Sequence, residues 1–188
     1  MRLTALASAA LVALAAGPAA AQETIDNGEF TSWSKFKPGT SITTRMTTST
    51  AGMTNEVTTT ITLVEVGTDK VVLETSGVTK AMGMEFKLPA AKRDVSKTIP
   101  LPKGVKKPAA PGTKPEAAYE EGMETLKVGG TEVKAKWYKV KSETGGLKSD
   151  AKVWTSDDVP GTMVKMEATT TGLATGETKL EVLEFKKP

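Results

Sequence analysis

The chain of 188 residues contains no cysteine and no histidine. Without thiols there can be no disulfide framework. Without thiolate or imidazole, the common routes to nucleophilic catalysis, proton shuttling at neutral pH and zinc ligation are closed. Aromatic side chains are also scarce, with three Trp, two Tyr and four Phe to fill a core. No glycine-rich string has the spacing that cradles a dinucleotide or a nucleoside triphosphate, so no nucleotide and no other cofactor is expected. No apolar run reaches the roughly 20 residues that span a bilayer, so no transmembrane anchor is expected.

The longest apolar run, about Leu3 to Ala16, has a different shape. It follows a basic start at Arg2, breaks at Gly17-Pro18, and ends in small residues at Ala19 and Ala21. That is the layout of a cleavable export signal, here residues 1–21, with cleavage expected after Ala21. A lipid-attachment cysteine is impossible and the twin arginine of the folded-export route is missing, which predicts a released periplasmic or extracellular protein. The remaining 167 residues, 22–188, suit one domain that buries about 70% of its unfolded surface without disulfides.

Charge is nearly balanced, 25 basic against 22 acidic side chains. It is unevenly placed. Lys87, Lys92, Arg93, Lys97, Lys103, Lys106, Lys107 and Lys114 face only Asp94 between residues 87 and 115, where five prolines from Pro100 to Pro115 remove ladder donors. Residues 100–115 therefore read as an exposed Pro/Lys-rich connector. Lys103, Lys106, Lys107 and Lys114 are its candidates for electrostatic contact with an anionic envelope component, against the plainer reading of a solvated loop. Nucleic acid is not an expected partner, because no aromatic residue is interleaved to stack on bases.

Elsewhere the pattern is strand-like. Threonine occurs 29 times, and alternation of period two runs through Ser41–Ser49, Glu56–Val66, Lys70–Val78, Thr131–Lys141, Leu147–Trp154, Thr162–Thr171 and Glu177–Lys186. Met84–Leu88 and Val95–Ile99 are shorter candidates. Tyr119–Val128 is open between helix and strand; Gly122 inside it and Gly129-Gly130 after it favour a hairpin strand. The sum is an all-β chain with at most a minor helix: a curved antiparallel sheet or incomplete β-barrel of about nine strands.

The run Glu124 to Lys134, the segment Lys152-Val-Trp-Thr-Ser-Asp-Asp-Val-Pro-Gly-Thr-Met-Val-Lys and the closing Leu180-Glu-Val-Leu-Glu-Phe look like the repeating hairpins of exported bacterial proteins of unknown function. Those hairpins are similar to the incomplete barrel of the LolA/LolB-like lipoprotein carriers, over roughly Trp33 to Phe185. The resemblance implies an apolar concavity for an acyl chain, but the helices of those carriers have no counterpart in this sequence.

Candidate chemistry is sparse. Asp157-Asp158, with Asp150 nearby, offers oxygen ligands without calcium-loop spacing and reads as a turn before Pro160, so no metal is expected. Ser149-Asp-Ala-Lys152 matches the Ser-x-x-Lys string of serine acyl enzymes without its companion elements. Glu120/Glu121 and Glu143/Asp150 are carboxylate pairs that nothing singles out for glycoside hydrolysis. The expectation is a non-enzymatic domain. Its candidate cavity lining is Met46, Met84, Met163, Met166, Trp137 and Trp154, because flexible thioethers and indoles suit an apolar ligand or lipid as well as they suit a core. The alternative is a structural or interaction module of the cell envelope that works through the basic connector.

Overall fold

The computed structural model describes residues 23–101, 114–172 and 175–188. The expected signal segment and Lys103, Lys106 and Lys107 lie outside the described residues, while Lys114 lies within them. In chain order the elements are β1 (Thr24–Asp26), α1 (Gly28–Trp33), β2 (Ser41–Thr50), β3 (Met53–Val66), β4 (Lys70–Ala81), β5 (Met84–Ser96), β6 (Thr98–Pro100), β7 (Ala118–Val128), β8 (Thr131–Thr144), β9 (Leu147–Thr155), β10 (Met163–Thr171) and β11 (Gly176–Lys186).

Nine of these strands form one antiparallel sheet in the order β5-β4-β3-β2-β11-β10-β9-β8-β7, and β1 pairs with β6 in a small second sheet. Two meanders, β2 to β5 and β7 to β11, are joined by the β2–β11 pairing, so the first and last strands of the large sheet meet at its centre. The sheet is open, with β5 and β7 as its two edges. The all-β antiparallel architecture expected from the alternation is what forms, and Tyr119–Val128 is strand.

One local expectation needs correcting. Met84–Leu88 and Val95–Ile99 are not separate strands: β5 runs unbroken from Met84 to Ser96, and Ile99 belongs to β6, opposite Ile25. Pro89 is tolerated inside β5 because an edge strand has a side without ladder bonds, and the pairing with β4 shifts register between Thr75 and Gly77. The minor helix that the sequence allowed is α1, whose position the pattern does not show. Its six residues are too few for a helical period to show. It is held by local polar contacts instead: Asn27 accepts from the Glu29 N–H at 3.0 Å, and the Ser32 hydroxyl donates to the Glu29 carbonyl at 2.8 Å.

This small helix carries two core residues, Phe30 and Trp33. They join Ile42, Leu63, Val71, Leu73, Val95, Val159 and Val182 in a core cluster that also takes in Val128, Val133, Ala135 and Trp154 from the second meander. Each fully buried aliphatic here contributes about 1.5–3 kcal/mol. The second meander bends back on itself. The β7–β8 turn at Gly129 reaches β11, where a side chain at that position would stand 3.0 Å from the Glu184 Cβ, although three strands separate β7 from β11 in the sheet.

Gly77 sits at the register shift of β4, and a Cβ there would meet the Thr58 carbonyl oxygen at 2.4 Å. Gly52 lies in an open turn with φ +80°. Gly77→Ala is therefore expected to cost about 2–3 kcal/mol in urea unfolding, since the backbone it strikes cannot yield. Gly52→Ala should cost only about 1 kcal/mol, from its conformation alone. Equal losses in the two variants would contradict this account.

Candidate functional site

The registers of eight neighbouring pairs run in step. One transverse row reads Phe86, Thr79, Val57, Met46, Leu180, Met166, Val153, Tyr138 and Glu121 from β5 to β7, each residue directly opposite the next. Directly paired residues share a face of the sheet, so seven of these nine positions place an apolar or aromatic side chain on the same face. Along this row Met46 and Phe86 are exposed, and Val57, Leu180, Met166 and Val153 are half-buried.

The adjacent row, one residue along each strand, belongs to the opposite face. It reads Lys80 with Glu85 on one flank, then Glu56, Thr47, Lys179, Glu167, Lys152, Lys139 and Glu120. Ion pairs join Lys80 to Glu85 at 3.8 Å, Lys165 to Glu167 at 2.9 Å and Lys139 to Glu120 at 2.6 Å, with Arg45 to Glu181 one row away. Exposed pairs of this kind are screened by water and add little to stability. In these two rows charged and apolar side chains stand on opposite faces of the sheet; toward β7 and β8 the charged face also carries the buried Val133, Ala135 and Trp154.

Beneath α1 the apolar face deepens into a groove of about 450 Å³. Trp33 from α1, Ile42, Ile61 and Leu180 from the sheet, and Pro160 and Met163 from the β9–β10 connection line it. Leu180 lies in both the groove and the transverse row, so the groove opens onto the apolar face. Its helix is clamped to β5 by the Arg93 guanidinium, which donates to the Glu29 carboxylate at 2.8 Å. The Glu29 hydrogen bond raises the Arg93 pKa despite partial burial. Thr40 Oγ1, buried near the start of β2, lacks a hydrogen-bond partner.

The six candidate lining residues divide between the two faces. Met46, Met84 and Met166 lie on the apolar face, and Met163 lines the groove. Trp137 and Trp154 do not: they stand opposite one another on the charged face. There the Lys152 ammonium lies 4.3 Å from both indole centroids, and the Trp154 indole N–H donates to Glu124 Oε2 at 2.8 Å. Trp137 also lies over Gly122 of the edge strand, where a Cβ would stand 2.6 Å from the ring. The glycine that argued against a helix thus leaves room for an indole that covers it. The sequence reading missed Trp33, Ile42, Ile61, Leu180 and Pro160, whose strand pairings bring them together from distant segments.

The remaining candidates separate. Lys114 is paired with Glu121 at 3.1 Å, within its own chain. Asp157 holds Lys35 at 3.0 Å, and the Asp158 N–H donates to the Ser156 hydroxyl at 3.4 Å in a turn. Among the described residues no three carboxylates gather as a metal site. Ser149 and Lys152 fall three apart on β9 and project to opposite faces, as do the adjacent Glu120 and Glu121 on β7. Glu143 and Asp150 do line one groove, of about 510 Å³, but Asp150 is engaged by Lys141 at 3.6 Å and by the Tyr119 hydroxyl at 3.2 Å.

The Trp154 indole N–H, and after it the Lys152 ammonium, hold the Glu124 carboxyl below its ordinary value of 4.5. A carboxyl with a depressed folded-state pKa stabilises the fold above its unfolded value, and that contribution fades as the pH falls through the folded value. Glu124→Gln should therefore lower stability at pH 7 and leave it nearly unchanged near pH 2, read by urea unfolding followed on tryptophan fluorescence. A deficit that persists undiminished at low pH would show that Glu124 acts by packing alone.

No protein-family model and no curated protein matches the chain. Among solved structures it is similar to one described as a putative lipoprotein from Parabacteroides distasonis, with a TM-score of 0.41 and 10% identity, over 80% of this chain and 96% of that one. The LolA/LolB-like resemblance gains no support from these comparisons.

Proposed function

We propose that the chain is an exported, non-catalytic β-domain that binds an elongated apolar ligand, of the acyl-chain class, along the face that carries Met46. The observation that carries this reading is the groove between α1 and the sheet, opening through Leu180 onto the transverse apolar row. Its volume of about 450 Å³ falls within the range of small-molecule sites. Ile42, Ile61, Trp33 and Leu180 supply apolar contact, and the carboxylate that also lines the groove, Glu29, is already held by Arg93. Methionines at 46, 163 and 166 add side chains that adapt to chains of different length. Export is supported by the layout of residues 1–21.

A fluorescent acyl probe should bind the purified full chain with a blue-shifted, saturable emission, and unlabelled fatty acid should displace it. Leu180→Glu places a charge at the junction of groove and row, and it should weaken probe binding at least tenfold while the circular dichroism stays that of a β-sheet. Lys114→Glu lies elsewhere and should bind as the parent does. Unchanged probe affinity in Leu180→Glu would refute the groove as the binding site.

A further inference from the structure

Three methionines that neither the core nor the groove uses are placed at one corner of the sheet. Hairpin β2–β3 turns through Ala51-Gly52, with Thr50 opposite Met53; hairpin β4–β5 turns through Met82-Gly83, with Ala81 opposite Met84. Because Asn55 pairs with Ala81, the two turns lie side by side at the same end of the sheet, and Met53, two residues before Asn55, flanks the Met82-Gly83 turn. Met53, Met82 and Met84 are 55%, 78% and 55% exposed, so burial does not account for them.

Turn chemistry does not account for Met82 either. Its φ is +51°, the same left-handed value that Ala51 takes in the neighbouring Ala51-Gly52 turn, so the turn itself has no need of a thioether. What methionine supplies there is a thioether, a soft and uncharged sulfur donor. Thioethers select soft monovalent cations over the hard divalent ones that carboxylates prefer. In a chain with no cysteine and no histidine, methionine is the strongest soft donor present. The nearest ionised groups along these strands, Lys80 and Glu85, are engaged with each other at 3.8 Å. Together with Glu56, opposite Lys80, they stand on the face of the sheet away from Met53 and Met84.

We infer that Met53, Met82 and Met84 form a three-thioether site for a soft d¹⁰ monovalent cation of the Cu(I) class, independent of the apolar groove. The register brings the three donors to one corner from two neighbouring hairpins, and each has a flexible stem to reach a shared ion. Binding involves no change of oxidation state: the ion arrives and leaves as the monovalent cation.

Silver(I), which has the same charge and preference for sulfur and does not cycle its redox state, is the probe. The full chain, carrying ¹³C-methyl methionine, is titrated with silver nitrate in chloride-free buffer. The methyl signals of Met53, Met82 and Met84 should move together and saturate at one equivalent, while those of Met46, Met123, Met163 and Met166 stay in place. Met82→Leu should weaken silver binding at least tenfold, and the triple variant M53L/M82L/M84L should abolish it with the sheet spectrum retained, since all three side chains are exposed. Shifts spread evenly over the other methionines, no saturation at one equivalent, or undiminished binding by the triple variant would overturn the site.

Discussion

The structure depends on keeping two-residue alternation in step across nine antiparallel strands. A slip of one residue in any pairing moves that strand's whole apolar set to the other face. Because the pairings from β5 to β7 stay in phase, Val57, Met46, Leu180, Met166 and Val153 stand in one line and Lys80, Glu56, Lys179, Glu167 and Lys152 in the next. Bulges occur, but they are placed where phase can be lost without harm: beyond Leu63, beyond Val182 and before Lys165, toward the ends of strands. The one in mid-strand, at Gly77, falls beside the edge strand β5, where a shift disturbs no further neighbour. In the row of Glu56 and Lys179 the charges stand on one face, which leaves the centre of the other face, around Met46 and Leu180, free to be apolar.

Much of that register is legible in the sequence, for a local reason. Two-residue turns at Ala51-Gly52, Met82-Gly83, Gly129-Gly130 and Gly145-Gly146 fix which residues of their flanking strands stand opposite. Met46 opposite Val57 and Tyr138 opposite Val153 follow from counting outward from such turns. Pairings without a connecting turn are different. Nothing near Thr44 announces Val182 as its partner 138 positions later, and only the three-dimensional closure of the two meanders brings them together. The groove is illegible for the same cause, since its walls come from α1, β2, β3, β11 and the β9–β10 connection. Helix α1 escapes notice because one and a half turns held by Asn27 and Ser32 leave no period to read.

The tryptophans show how composition misleads when faces are unknown. Indoles and methionines look alike as apolar lining, yet Trp137 and Trp154 stand on the charged face. There their rings carry Lys152 and their burial secures the edge strand through Glu124 and Gly122. An indole reconciles both demands, since its ring packs like a hydrocarbon while its N–H and π-face satisfy a carboxylate and an ammonium. Methionine has no such polar handle, and Met46, Met84 and Met166 fall on the apolar side. Aromatic scarcity, with nine rings in the chain, is offset by aliphatic packing around Trp33 and by this double use of the other two indoles.

The most direct test of the account is the methyl-to-methyl nuclear Overhauser pattern across the sheet centre. An unbroken chain of contacts from Val57 to Met46, Leu180, Met166 and Val153 is expected, crossing five strands on one face. Contacts of the Met46 methyl with Thr58 in place of Val57, or with Glu181 protons in place of Leu180, would mean the strands pair one residue out of phase. The apolar face, and the function drawn from it, would then not exist.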